Sequence, residues 1–360
     1  MDKFISLSPD KKKAPFIFCI LAFSFFLCSC AQPLRKDTFV ISGTYLKVTS
    51  PDSRAAKIVY EEFKRLDKIF NLYDSDSEIA RLNRSQNASF KTSKELIEVL
   101  SLSRQTYLMS NGVFDVSNGA LYSFWKELIQ KEDVESFPLA EEINKLKQFG
   151  GMESIELNLE ENTVLIKNKG LKIDLSAIAK GYMVDKAVQK LKQAGIDSAL
   201  INAGGDIYCL GKPESFKKES INPVRSKPPW AGAAKRASNG VNSFWRVGIK
   251  DPGELAGIIE NQVLLNEAIA TSGDYEQFFE FNGEKYSHLI NPKTGYPVKN
   301  NILSVSVVTQ NCTTADSLAS AFFVMGLEGI KEFLSKTPST MRIFVVFLDE
   351  NNKKSIRVFQ

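Results

Sequence analysis

Three stretches carry side chains whose types and spacing suit chemistry on an anionic substrate. Asp316 and Ser320 stand four residues apart in a stretch with helical spacing, which puts a carboxylate and a hydroxyl on one face. Hard oxygen donors in so sparse a set suit Mg²⁺, which takes one or two protein carboxylates and fills its shell with water and phosphate oxygens. The same residues can serve only the helix, Asp316 complementing its dipole and Ser320 bonding back to a carbonyl. In the second stretch Asp174 closes an extended segment, Ser176 and Ala177 open a helix and Lys180-Gly181 lies one turn in. A carboxylate, a lysine and main-chain N–H groups thus converge on a helix start, where phosphate is attracted. An ordinary strand-to-helix junction with a solvated lysine has the same appearance, and no P-loop or dinucleotide glycine fingerprint accompanies it. The third stretch holds the one histidine, His288, in a turn-rich run. It can act as a general base near neutral pH or as a surface hydrogen-bonding group, and no G-x-S-x-G elbow supports a Ser-His-Asp hydrolase.

The elements that must position these groups follow from hydrophobic spacing. Residues 39–48 alternate around Gly43 and read as a strand with a local break, and 54–70 have helical spacing. Thr92-x-x-Glu95 is a capping box opening a helix to about Met109. A hairpin is expected over 154–159 and 163–167, then a strand over 171–175 running into Ser176 as N-cap of a helix over 177–194. Strands at 199–202 and 207–210 flank Gly204-Gly205-Asp206; further strands are expected at 245–249, 262–265, 268–271, 277–281 and 303–309. A helix over 314–325 closes at Gly326, and a hairpin over 342–348 and 355–359 ends the chain. Strands and helices mixed with several hairpins point to α+β architecture rather than a doubly wound parallel sheet.

At 360 residues, 43% hydrophobic and 24% charged, the chain can bury a full core, which excludes disorder and a disulfide miniprotein. Its net charge of +4 is local, because the Pro-rich segment 212–243 carries seven Lys/Arg against Glu214 and Glu219. The rest of the chain is close to neutral, so no basic face for nucleic acid is present. Lys3, Lys11, Lys12 and Lys13 precede an apolar run over 14–27 that is too short to cross a membrane and stops at Cys28-Ser29-Cys30. This resembles a bacterial lipoprotein signal, with residues 1–30 as a signal peptide cleaved before Cys30 and membrane attachment through lipid on Cys30. The alternative is an uncleaved anchor or a short buried segment. The resemblance implies a lipid-anchored protein facing the periplasm or cell exterior, with 31–38 as tether and 39–360 as one domain carrying a polar insertion at 212–243. Beyond the signal and Cys30 only Cys209 and Cys312 remain, without CxxC spacing, and read as buried free thiols.

An ordered series of blocks carries a wider resemblance. Ser42-Gly43-Thr44, Asn71-Leu72-Tyr73 with Asp76-Ser77-Glu78-Ile79, and Gly112-Val113-Phe114-Asp115-Val116-Ser117 occupy the first part. Asp174-Leu175-Ser176-Ala177-Ile178-Ala179-Lys180-Gly181-Tyr182 with Asp185, Asn202-Ala203-Gly204-Gly205-Asp206-Ile207, and Ala270-Thr271-Ser272-Gly273-Asp274-Tyr275-Glu276 follow. His288-Leu289-Ile290-Asn291-Pro292 and Ala315-Asp316-Ser317-Leu318-Ala319-Ser320-Ala321 complete it. Together they resemble the FAD:protein FMN transferase (ApbE) family.

The resemblance implies a two-lobed α+β fold with mixed or antiparallel sheets, FAD in the cleft, and Mg²⁺-dependent transfer of FMN to a Ser or Thr hydroxyl of a partner protein with release of AMP. By carry-over, Ser42, Tyr73, Val113, Phe114, Asp115, Asp174, Lys180 and Ile290 line the FAD site, with Tyr73 or Phe114 on a ring face. Asp316, Ser320 and the Ala177 carbonyl hold the metal, and His288 is the base on the acceptor hydroxyl. The family commonly has Met at the position of Ser42 and Thr at that of Ser320. The implied acceptor is an extracytoplasmic flavoprotein, such as a subunit of a Na⁺-pumping or Rnf-type redox complex. Two other readings stay open: an FAD pyrophosphatase giving FMN and AMP, and a periplasmic FAD-binding lipoprotein, which has no need of Asp316 and Ser320.

Overall fold

The computed structural model describes residues 33–360, except 132–133, 135, 214–243, 255–256, 275–277 and 338–339. The signal peptide and all of the polar insertion beyond Pro213 lie outside the described residues. The described chain opens as a hairpin of β1 (Arg35–Ile41) and β2 (Thr44–Ser50), joined by Ser42 and Gly43 at φ 51° and 70°. Positive φ at both turn residues matches the twist of the flanking strands, so the break expected within one strand is a reversal between two. Pairing with β2 also extends β1 back to Arg35, into the stretch expected to be a tether.

Helix α1 (Ala55–Phe70) buries Ala55, Val59, Phe63, Leu66 and Phe70 along one stripe. Helix α2 (Glu78–Arg84) is capped by Ser77, and strand β3 (Phe90–Lys91) leads to α3 (Lys94–Met109). The cap of α3 is Ser93, whose Oγ accepts from Leu96 N at 3.1 Å, not Thr92. Glu95 does not reach back to close the expected box; it pairs with Arg65 of α1 at 2.7 Å. Two helices outside the sequence-based expectations follow, α4 (Gly119–Ile129) and α5 (Ala140–Lys147). The expected hairpin forms as β4 (Ile155–Asn158) and β5 (Thr163–Ile166), and joins β3 in a small sheet.

Residues 171–175 are not a strand; Lys172 makes only an isolated bridge with Asn118. The next helix, α6 (Ala179–Gln193), starts two residues later than expected, at Ile178 as N-cap and without a side-chain cap. Strands β6 (Ala199–Ala203) and β7 (Asp206–Leu210) follow, then β8 (Trp245–Lys250), β9 (Ile258–Leu264) and β10 (Glu267–Gly273). Beyond β10 come β11 (Phe278–Phe281), β12 (Glu284–Ser287), β13 (Ile290–Asn291), β14 (Tyr296–Pro297) and β15 (Ile302–Thr309). Helix α7 (Cys312–Lys336) is two helical segments that meet at Gly326, whose φ of 73° and ψ of 176° end the first segment at the expected glycine, and a second segment continues beyond it. Strands β16 (Arg342–Leu348) and β17 (Lys354–Phe359) are the expected final hairpin.

Eight strands form one sheet in the order β1-β2-β6-β7-β10-β15-β16-β17, every ladder antiparallel. Helices α1, α6 and α7 cover one face: Leu46 of β2 and Ile201 of β6 lie under α1 and α6, β10 with Ala270 lies under α7, and Val305, Val307 and Val345 join Phe322 and Phe323 of α7. On the other face the β8–β9 hairpin sets Trp245, Val247 and Leu264 against Ile269, Val308 and Phe344. A separate aromatic core centred on Trp125 joins α4 and α5 to the β11–β12 hairpin, and Trp125 Nε1 donates to the Gly295 carbonyl at 2.8 Å. Helices set on one side of an antiparallel sheet make this the expected α+β fold. Cys209 and Cys312 are both buried and free, in separate cores, and burial raises the pKa of each.

Helices α6 and α7 cross closely. A Cβ on Gly181 would lie 2.4 Å from the Cys312 carbonyl oxygen and 2.9 Å from Asp316 Cβ, so a larger residue would push α7 away. One turn on, Asp185 accepts from Cys312 N and Thr313 N, each at 2.8 Å, and from Thr313 Oγ1 at 2.5 Å. A carboxylate thus satisfies the first N–H groups of α7 where the helix dipole favours negative charge. Replacing Asp185→Ala is expected to lower the unfolding free energy by about 3 kcal/mol, the scale of charge-assisted bonds lost at a helix start. Urea denaturation followed by circular dichroism checks this; an unchanged midpoint would show that α7 is held by packing alone.

Candidate active site

A cavity of about 300 Å³ opens between the α6–α7 crossing and the aromatic core. Its wall brings together ten residues singled out from sequence: Val113, Phe114, Asp115, Asp174, Ala177, Lys180, His288, Ile290, Asp316 and Ser320. They come from the loop before α4, the turn into α6, the link from β12 to β13, and one face of α7. A larger open groove of about 840 Å³ between α3 and the β4–β5 hairpin contains none of them.

The turn into α6 is shaped by Asp174, whose Oδ1 accepts from Ser176 N at 2.8 Å. Ser176 is therefore a turn residue and not the helix cap. The decisive bond comes next: Gly181 N, one of the first N–H groups of α6 that no helix carbonyl takes, donates to Asp316 Oδ2 at 3.1 Å. No main-chain N–H of a described residue donates to the Ala177 carbonyl, and Ala177 lines the cavity with Asp316 and Ser320 of α7.

Asp316 is 5% exposed and shares its surroundings with Asp206 and Lys180. Lys180 Nζ lies 2.6 Å from Asp206 Oδ2, and Asp206 enters at the start of β7 after the Gly204-Gly205 turn. Burial and the Asp206 carboxylate push Asp316 up to about 7, against the pull of Lys180 and the Gly181 N–H. Burial opposes the charge on Lys180, but Asp206 and Asp316 together hold its pKa above the usual range. The lysine expected to attract phosphate is therefore already committed to a carboxylate.

Burial of two carboxylates beside one ammonium disfavours the charged form of Asp316, and a cation bound there would favour it. The donors at hand, the Asp316 carboxylate, the Ser320 hydroxyl and the Ala177 carbonyl, are all hard oxygens and fit a small divalent ion. Among the described residues no group of three or more His, Cys, Asp or Glu could hold a metal.

Asp115 is spent locally. Its carboxylate accepts from Ser117 N at 2.9 Å, Ser117 Oγ at 2.5 Å and Asn118 Nδ2 at 2.7 Å, while its carbonyl takes the Tyr122 hydroxyl at 2.7 Å. Burial still raises its pKa against these bonds. Phe114 contributes to the cavity wall, but its ring belongs to the main core. Ser42 and Tyr73 are not in the wall. Ser42 Oγ donates to Asp67 Oδ1 at 2.7 Å, and Tyr73, 77% exposed, lies beneath Lys126 Nζ, 4.9 Å from the ring centroid. Because Lys126 does line the cavity, Tyr73 stands at its rim.

Sequence reasoning missed Tyr122, Lys126 and Ile129, all on α4, and Ser272 on β10. The helical spacing of Leu121, Trp125 and Leu128 was the available signal for α4.

The ApbE family's sequence profile matches residues 42–345. The FAD:protein FMN transferase of Vibrio cholerae is 31% identical over 319 residues, covering 86% of this chain and 87% of that protein. The FAD:protein FMN transferase of Treponema pallidum is 30% identical over 323 residues, covering 85% and 83%. The crystal structure of the ApbE protein from Thermotoga maritima superimposes with a TM-score of 0.73 at 25% identity, covering 90% of this chain and 96% of the other. The match takes in each segment that lines the cavity, and on this ground the chain belongs to the ApbE family.

Proposed function

We propose that this chain is a flavin transferase that moves the FMN half of FAD to a Ser or Thr hydroxyl of an extracytoplasmic acceptor flavoprotein and releases AMP. The name shared by the relatives supports the reaction class. The observation that carries the reading is the Gly181–Asp316 bond, because it anchors a buried carboxylate beside the turn that holds Ala177.

On this reading Asp316, Ser320 and Ala177 hold Mg²⁺. When bound, it supplies positive charge against the pyrophosphate oxygens and the departing AMP. Val113, Phe114, Asp115, Asp174 and Ile290 line the space for FAD, and Tyr73 with Lys126 covers its rim. Lys180, fixed by Asp206, holds a positive charge next to Asp316 and keeps the cluster from excessive repulsion. His288 takes the proton from the acceptor hydroxyl. As that oxygen forms its bond to the FMN phosphorus, the bond from phosphorus to the AMP oxygen breaks, and AMP leaves with the electron pair. Lipid on Cys30 would keep the enzyme at the membrane beside its acceptor, for which a subunit of a Na⁺-pumping or Rnf-type redox complex is our candidate.

Incubating the full chain with FAD, Mg²⁺ and a candidate acceptor tests the reaction by AMP release and covalent flavin fluorescence on a denaturing gel. AMP with labelled acceptor is the expected result. AMP with free FMN whether or not acceptor is present would establish a pyrophosphatase instead, and intact FAD throughout would leave a binding protein. Asp316→Ala is expected to reduce the transfer rate at least roughly 100-fold; full Mg²⁺-dependent activity in this variant would remove Asp316 from the site. For His288→Ala the expected loss is on the order of 100-fold in rate with FAD affinity kept, and an undiminished rate would exclude it as the base.

A further inference from the structure

Hydroxyl side chains inside helices usually return to their own backbone, and several here do so. Ser103 bonds the Val99 carbonyl, Thr106 that of Leu102, Ser317 that of Thr314 and Ser335 that of Glu332. Ser320 departs from this habit. Its Oγ lies 3.0 Å from Ser272 Oγ, on strand β10. Both residues line the cavity, and each is half-buried.

The placement of Ser272 is fixed by the sheet. Ala268 and Ala270 precede it at alternate positions on β10, on the face that packs against the helices. The strand is paired with β7 over Glu267–Ile269 and with β15 as far as Gly273, Ser272 facing Val305, so the Ser272 hydroxyl sits on a paired stretch of the sheet. Ser320, by contrast, is a serine: no second substituent on Cβ restricts its rotamer as a β-branched residue would. Its hydroxyl also has one proton to place. An oxygen that is to offer lone pairs to a cation must send that proton elsewhere, and the Ser272 oxygen is the acceptor within reach.

We propose that Ser272 is a positioning residue that takes the Ser320 proton and locks the Ser320 hydroxyl with its lone pairs available to the cation held with Asp316. The inference rests on the reading of Asp316 and Ser320 as metal-holding. Partners of this kind orient a ligand and are worth roughly 10- to 100-fold in metal affinity. Threonine at position 320 would fix the rotamer by its own methyl group and so would lessen the need for Ser272.

The test is equilibrium binding of Mn²⁺ to the full chain, with and without FAD, with the free ion counted by electron paramagnetic resonance. Ser272→Ala is expected to weaken Mn²⁺ roughly tenfold, Ser272→Thr to retain wild-type affinity, and Ser272→Ala with Ser320→Thr to recover most of the loss. The double variant Ser272→Ala with Ser320→Ala is expected to bind no more weakly than Ser320→Ala alone, because Ser272 acts through Ser320. Wild-type affinity in Ser272→Ala, alongside a loss in Ser320→Ala, would overturn the positioning role and leave the metal reading standing. Additive losses in the double variant would also overturn it. Unchanged affinity in both Asp316→Ala and Ser320→Ala would instead bring down the metal reading and the positioning role with it.

Discussion

The crossing of α6 over α7 at Gly181 is the constraint on which the cavity depends. Without a side chain there, the Gly181 N–H reaches Asp316 Oδ2, and with one it would meet the Cys312 carbonyl first. Asp185 secures the same crossing one turn along by taking both first N–H groups of α7. The two contacts divide the labour. Asp185 sets where α7 begins, and Gly181 sets how near its first polar face stands to the turn into α6. The Ala177 residue that lines the cavity lies just before Ile178, whose carbonyl takes the first hydrogen bond of α6.

Around the crossing, rigid elements deliver the remaining groups. The antiparallel sheet offers Asp206 at the beginning of β7 and Ser272 near the end of β10, neighbours in the strand order. Apolar contacts on both faces hold these strands, α1, α6 and α7 on one side and the β8–β9 hairpin on the other. The opposite wall is built differently. Its loop from Val113 to Asn118 is organised by bonds to Asp115, and its backing is the aromatic core around Trp125. A charged wall on stiff elements thus faces a wall of loops and aromatic packing, an arrangement in which one side fixes reacting groups and the other accommodates a bulky ligand.

Local periodicity made part of this legible in the sequence. Asp316 and Ser320 fall on one face because four residues make one helical turn, a relation that needs no knowledge of the rest of the chain. The terminal hairpin, α1, and the strands of the sheet were readable for the same reason. Residues 171–175 were misread because Leu171, Ile173 and Leu175 alternate and are buried as a strand's would be. Their backbone is satisfied by side chains instead. Asn83 exchanges two hydrogen bonds with Ile173, and Gln86 donates to the Leu171 carbonyl. Both partners sit some 85 to 90 residues away, in or just after a helix that the spacing did not reveal. The commitment of Lys180 to Asp206 and of Ser320 to Ser272 was out of reach for the same physical reason. Each is a contact across the fold whose second partner, Asp206 or Ser272, nothing in the neighbourhood of Lys180 or Ser320 indicates.

Two buried carboxylates in the same cavity show how such contacts decide what a residue does. Asp115 receives two side-chain donors and a main-chain N–H, close to what an ionised carboxylate can accept within a confined loop, and its charge is absorbed in holding that loop. Asp316 receives one main-chain N–H and has a second carboxylate for a neighbour, so burial and repulsion together raise its pKa far more. A fold that selected only for stability would replace such a group or give it further donors, because a buried and poorly satisfied carboxylate is costly. The Gly181 crossing does neither: it holds Asp316 in place while leaving it short of donors. On the proposed reading the missing partner is a cation that arrives with the substrate, which the Ser320 and Ala177 oxygens beside Asp316 would share.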